Sequence, residues 1–276
     1  SFLARNTKPM IATGRMAILQ AMLTLIDGLT LEGGDPIQTA VNIEAVGSLD
    51  VAIEKIFIMA FTWSFGALLE SDDRMKLNEW MQTIDKTHMP EGDVFEYKLD
   101  HATCDWTAWT APVWKYPEGD TLDFASILIP TVDAERTMYL IKQAHKQKKG
   151  ALLIGNAGTA KTATVSMFLA SLDMLTRTVN YSFATTMFGA QNAVEAELDK
   201  RGGKNFGPPN GNKMTFFIDD MSMPEVNNWG DQPTLELVRQ LIEYSGVCFL
   251  DKDKRGDFKT CEDLYYIGGM GHPGGG

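Results

Sequence analysis

Residues 155–162, Gly155-Asn156-Ala157-Gly158-Thr159-Ala160-Lys161-Thr162, bring two glycines, a lysine and a hydroxyl into one short stretch. They follow the apolar run Ala151-Leu152-Leu153-Ile154 and lead into Ala163-Thr164-Val165-Ser166-Met167-Phe168-Leu169, which reads as a helix. Strand, tight loop, Lys-Thr and helix together cradle the phosphates of a nucleoside triphosphate. Backbone N–H groups and the helix N-terminus face the phosphates, Lys161 reaches the β/γ oxygens, and the Thr162 hydroxyl holds Mg²⁺. The usual pattern has glycine immediately before the lysine, where this chain has Ala160. A methyl there is tolerated only if the residue keeps φ negative.

A second run carries the complementary chemistry. Met214-Thr215-Phe216-Phe217-Ile218 ends in Asp219-Asp220, which predicts a buried parallel strand with its acids at the carboxyl end. That is where open α/β sheets bind ligands. Asp219 would anchor Mg²⁺ through water, and Asp220 would polarise an attacking water. A solvated acidic turn is the plainer reading of this run taken alone; beside the phosphate loop, nucleotide binding is the stronger one.

These residues need a scaffold, and the flanking pattern supplies one. Upstream, Ser126–Ile129 reads as a short strand and Asp133–Lys146 as a helix with a basic end. Downstream, Thr178–Phe183 reads as a strand, Ala190–Lys200 as a helix, and the Gly-, Pro- and Asn-rich segment 201–212 as an exposed loop. After the acidic strand come a polar insertion at 225–231, a helix Thr234–Tyr244, and strands Val247–Leu250 and Leu264–Ile267. Lys252–Gly256 reads as a hairpin tip. Alternating strands and helices predict an α/β fold with a doubly wound parallel sheet.

The first part of the chain is helical instead. Met16, Leu19, Leu23 and Ile26 recur at helical spacing in a segment ending at Gly28. Leu49–Leu69 reads as a second helix; its most apolar stretch, Ile56–Leu69, is short for a bilayer and reads as buried. Ser71-Asp72-Asp73 can cap a third, carrying Leu77, Trp80 and Met81. Val94–Tyr97 alternates like an edge strand. Trp106, Trp109 and Trp114 follow, a cluster expected to pack a small subdomain rather than to form a ligand platform. Residues 111–121 are the best linker. The predicted organisation is a helical subdomain over 1–92, a connector over 93–121 and an α/β nucleotide-binding subdomain over 122–276.

Composition narrows the function. The net charge is −11, with 17 acidic against 9 basic side chains in residues 1–119 and 19 against 16 in 120–276. Neither part offers a basic face, so nucleic acid and anionic membrane are not expected partners. Cys104, Cys248 and Cys261 are scattered, as expected of reduced thiols in the cytoplasm. His101 and Cys104 alone do not make a zinc site. The basic cluster Lys146, Lys148 and Lys149 reads as a solvated helix end. The chain begins without Met and stops in a glycine-rich loop, as a piece of a longer protein would.

Lined up, these motifs resemble a dynein heavy chain of axonemal type, from the motor's ring of AAA+ modules. The residues that carry the resemblance are Ile129-Pro130-Thr131-Val132-Asp133-Ala134-Glu135-Arg136-Thr137, then Ile218-Asp219-Asp220-Met221-Ser222-Met223-Pro224 with Trp229-Gly230-Asp231-Gln232, and Gly269-Met270-Gly271-His272-Pro273-Gly274-Gly275-Gly276. The resemblance is greatest to the third ring module preceded by the lid of the second. It implies a P-loop AAA+ fold, ATP or ADP with Mg²⁺ as cofactors, and a regulatory role in microtubule-based ciliary motility. It places Pro130 and Thr131 beside the adenine, Gly155 to Thr162 around the phosphates, and Asp219 and Asp220 at the metal and water. Neighbouring modules would be direct partners; intermediate chains, light chains and microtubules would be reached only through the intact protein, in the cytoskeleton of a cilium or flagellum axoneme. Ala160, and Asp220 where an efficient hydrolase has glutamate, both imply binding with slow or absent hydrolysis. The sensor asparagine, the module's own lid and the arginine finger would lie outside this chain, which implies a weak or inactive ATPase. A structural module with permanently bound nucleotide is the alternative; an unrelated P-loop kinase or helicase would need a phosphoacceptor pocket or a basic strand-binding track, and the sequence shows neither.

Overall fold

The computed structural model describes residues 5–31, 41–115, 127–249 and 256–272. They fall into two compact units, 1–147 and 148–276.

The first unit is built on α1 (Arg15–Thr30), α2 (Leu49–Ser64) and α3 (Ser71–Ile84), the hairpin β1 (Tyr97–Leu99) and β2 (Trp106–Ala108), and α4 (Val132–Lys146). Its core gathers Leu29, Ile56, Met59, Trp63, Leu77, Phe95, Leu99 and Trp109. The face of α1 that packs is not the expected one. Met16, Leu19 and Leu23 are exposed, whereas Ile18, Leu25, Ile26 and Leu29 turn inward. Gly28 does not end the helix. It is buried, and a Cβ on it would sit 2.8 Å from Gln143 Cβ, so the glycine lets α4 cross closely. Lys146 then donates to the Gly28 carbonyl at 2.7 Å.

By length and composition Leu49–Leu68 would suffice to cross a bilayer, longer than the stretch singled out from sequence. More than half of it is buried inside this unit, as in the core helix of a globular domain. Ser71 is the first residue of α3 and caps nothing; Glu70 precedes it without a side-chain bond. Leu77 and Met81 are buried as expected. Val94–Glu96 forms a 3₁₀ turn, not a strand, because Asp93 accepts from the Phe95 N–H and tightens the backbone. Trp109 packs as anticipated, meeting Trp63 and Tyr139 edge-on at 6.4 and 5.2 Å, and Trp106 lies partly buried against the same core. Cys104 is buried in the turn that joins β1 to β2, and the His101 ring lies 5.8 Å from that of Tyr139.

The second unit holds two sheets. The first is wholly parallel, in the order β3 (Ala151–Ile154), β10 (Leu264–Met270), β7 (Met214–Asp219), β4 (Leu175–Asn180). All of β7 is buried, which is why its sequence is a continuous apolar run rather than an alternating one. On one face Phe216 stacks on Tyr266 at 6.1 Å, with α6 (Met187–Glu195) and α7 (Pro233–Tyr244) contributing Ala190, Val194, Leu237, Val238 and Leu241. α5 (Lys161–Ala170) packs on β7 and β10 and buries Val165 and Phe168.

The second sheet, β5 (Asp199–Gly202), β6 (Asn205–Gly207), β9 (Phe258–Cys261) and β8 (Gly246–Cys248), is mixed. The sequence pattern predicts a helix to Lys200 and a loop to 212; α6 instead ends at Glu195 and a hairpin follows. Asp199, Lys200 and Arg201 in its first strand are charged and exposed, so they carry no period-2 signal. Arg201 holds the hairpin by pairing with Asp263 and donating to the Asn212 carbonyl. Lys259, almost fully buried, pairs with Glu195 at 2.5 Å and lies 4.3 Å over the Phe249 ring. The segment 247–250 was expected to be one strand; β8 stops at Cys248, and Leu250 and the expected hairpin tip through Arg255 lie outside the described residues. Ile127–Ile129 forms no strand. Asn180, not Phe183, ends β4, since Thr185 folds the chain back by accepting from the Ser182 N–H.

Candidate functional site

The parallel sheet lays Ile154, Met270, Asp219 and Asn180 at the carboxyl ends of neighbouring strands. The segment 155–160 leaves β3 at that edge, after the Gly155 N–H donates to the Met270 carbonyl at 3.2 Å. Residues 156–160 are exposed, and α5 begins at Lys161. The first hydrogen bond of α5 runs from the Thr164 N–H to the Ala160 carbonyl at 2.9 Å. The N–H groups of its opening turn therefore lack intrahelical acceptors and carry the positive end of the helix dipole. A loop of this shape suits an anion.

Inside the loop, Thr159 Oγ1 donates to the Asn156 carbonyl at 2.9 Å. Lys161 Nζ donates to the carbonyls of Gly155 and Asn156, each at 2.8 Å, which holds the ammonium over the loop. Gly158 has φ +80°.

Ala160 corrects an expectation. Its φ is +58° and ψ +21°, left-handed, although a methyl there was expected to require negative φ. The turn into α5 demands the conformation and the alanine adopts it, at a strain of about 1–2 kcal/mol. Asp220 is the counterpart on the other side of the site, exposed and left-handed at φ +52°. Ala160 and Asp220 thus put a left-handed non-glycine residue in each motif at the site, a conformation that stores strain.

The two motifs meet. Thr162 Oγ1 donates to Asp219 Oδ2 at 2.5 Å, and Asp219 Oδ1 accepts from the Asp220 N–H at 3.1 Å. Asp219 is buried, with 6% of its surface exposed. One carboxylate beside one hydroxyl is a sparse donor set. No cluster of three or more His, Cys, Asp or Glu side chains that would cage a metal occurs among the described residues. The pair suits Mg²⁺, which keeps several waters and takes further oxygens from phosphates, and does not suit a metal needing a full protein cage.

Pro130 and Thr131 belong to the first unit. The Thr131 hydroxyl accepts from the Ala134 N–H at 3.1 Å and caps α4, whose first turn carries Asp133 and Glu135 and whose last carries His145 and Lys146. The segment after Asp219 is ordered by Gln232, whose amide donates to the Ser222 and Pro224 carbonyls at 3.2 and 2.8 Å. Trp229, at its tip, is 84% exposed. Sequence reading missed Gly269 as a neighbour of the site: a Cβ on it would lie 2.9 Å from Asp219 Oδ1. Paired glycines inside an interior strand were the available signal.

Residues 114–276 match the family described as P-loop containing dynein motor region, and residues 1–111 the dynein heavy chain AAA lid domain. The chain belongs to the dynein heavy chain family. Its relatives include dynein axonemal heavy chain 5 of Rattus norvegicus, 38% identical over 95% of this chain and 8% of that protein. Dynein axonemal heavy chain 8 of Homo sapiens is 41% identical over 81% of the chain and 5% of its own length. The dynein gamma chain of the flagellar outer arm of Chlamydomonas reinhardtii is 34% identical over the whole chain and 6% of its own length. The chain thus spans less than a tenth of these dynein heavy chains. The α/β fold with a helical lid, expected from sequence, is the fold of this dynein motor region.

Proposed function

We propose that this chain is part of an axonemal dynein motor, in which its P-loop module binds ATP or ADP with Mg²⁺ and reports nucleotide state to neighbouring ring modules. The observation that carries this reading is the Thr162–Asp219 hydrogen bond, which joins the phosphate loop to the acidic strand end at one sheet edge. In the bound form the loop N–H groups and Lys161 would hold the phosphates, and Thr162 and Asp219 would hold the cation. Mg²⁺ supplies charge neutralisation on the phosphates. Asp220 orients water only weakly, being one methylene shorter than glutamate, so turnover is slow or absent.

The names of the relatives support a place in the cilium or flagellum axoneme, and module position three, after the lid of module two, follows the sequence resemblance. Microtubules and the intermediate and light chains are partners of the whole motor rather than of this segment. The acidic charge argues against nucleic acid and anionic membrane.

The test is nucleotide exchange and single-turnover hydrolysis in a longer piece of the heavy chain that includes the following module. The regulatory reading predicts that bound nucleotide exchanges, that hydrolysis is slow, and that Asp220→Glu accelerates it. Nucleotide that neither exchanges nor hydrolyses over hours would instead establish a permanent structural ligand.

A further inference from the structure

β10 lies between β3 and β7, so both its edges are paired, yet it carries Gly268 and Gly269 in succession. Glycine inside a strand weakens it and marks a close approach by another group. The two glycines make room for different neighbours. A Cβ on Gly268 would meet Leu152 Cδ1 at 2.9 Å and Met221 Sδ at 3.1 Å, which are packing contacts. A Cβ on Gly269 would meet Asp219 Oδ1 at 2.9 Å, with carbons of the Phe217 ring at 3.4 and 3.5 Å.

The Asp219 carboxylate is constrained on both oxygens. Oδ2 accepts from Thr162 at 2.5 Å and Oδ1 from the Asp220 N–H at 3.1 Å. Both oxygens belong to one planar group, so displacing Oδ1 also turns Oδ2 away from Thr162. We propose that Gly269 is a positioning residue: its missing side chain lets the Asp219 carboxylate stay on Thr162, and this sets the divalent-cation dependence of the nucleotide site. The inference rests on the nucleotide reading above. An added methyl would press on the end of a side chain and not on backbone. The carboxylate yields, and the cost falls on its geometry and not on the fold.

The test compares the wild-type chain with Gly269→Ala and Gly268→Ala. Each is assayed for melting temperature and for affinity toward N-methylanthraniloyl-ATP, once with Mg²⁺ and once with EDTA. The wild type binds more tightly with Mg²⁺. Gly269→Ala folds, keeps its affinity in EDTA, and loses about tenfold of the Mg²⁺ enhancement, the scale expected when a ligand's support is removed. Gly268→Ala keeps the enhancement. The proposal is overturned if Gly269→Ala retains the wild-type ratio, if it loses affinity equally in both buffers, or if it fails to fold where Gly268→Ala folds. A wild-type chain that binds no analogue in either buffer refutes the nucleotide site itself, and the role of Gly269 with it.

Discussion

The Thr162 hydroxyl and the Asp219 carboxylate, 57 residues apart in sequence, lie 2.5 Å apart at the carboxyl edge of the parallel sheet. The bond ties the first turn of α5 to the end of β7, and it uses the two side chains that a phosphate-bound cation would need.

Thr162→Val tests that bond without changing side-chain volume much. It leaves one oxygen of a buried carboxylate without its donor, which costs about 1–3 kcal/mol. The expected result is a lower melting temperature without ligand, together with loss of any Mg²⁺-dependent gain in nucleotide affinity. Thermal unfolding with and without Mg²⁺ reads both effects.

Ala160 sits left-handed at the N-cap of α5, where glycine is free of strain. Ala160→Gly removes that strain but adds chain entropy to the unfolded state, for a net gain of up to about 1 kcal/mol. A melting temperature higher by about 2–4 °C is expected, with nucleotide-dependent stabilisation no smaller than in the wild type. A fall in melting temperature would contradict the left-handed assignment.

The exposed thiol should react ahead of the two buried ones. Cys248 is exposed, and Cys104 and Cys261 are buried. Burial raises the Cys104 thiol and pushes Cys261 up to about 11 from 9.0. Brief treatment of the folded chain with iodoacetamide near pH 8 should label Cys248 first, and peptide mass spectrometry locates the adduct. The raised value also fixes a sign. Below pH 9 the Cys261 thiol is neutral in both folded and unfolded chains, and its contribution is fully present. Between pH 9 and about 11 only the unfolded chain ionises there, so stability falls as pH rises through that window. Cys261→Ala should flatten this part of the stability profile.

The phosphate loop, β7 and the helices from 132 and 233 were legible because each carries a local signal: glycine spacing, a continuous apolar run, or an amphipathic stretch. The Asp219–Thr162 pairing was legible as chemistry, since each motif needs the other. The second sheet was hidden. Asp199-Lys200-Arg201 has no strand periodicity, and the sheet is tied down by long-range pairs, Arg201 with Asp263 and Lys259 of β9 with Glu195. The inward face of α1 was misread because apolar residues line both sides of that helix, and only the crossing at Gly28 selects one. The conformation of Ala160 ran against residue preference, because the turn into α5 overrides it.

Nucleotide binding by the phosphate loop is the central claim, and thermal unfolding of the chain with and without Mg-ATP, beside Lys161→Ala, tests it most directly. At a ligand concentration about a hundredfold above Kd, binding stabilises the wild type by about 2.7 kcal/mol. A melting-temperature rise of several degrees is expected in the wild type and none in Lys161→Ala. Equal shifts in both proteins, or no shift in the wild type, would contradict it.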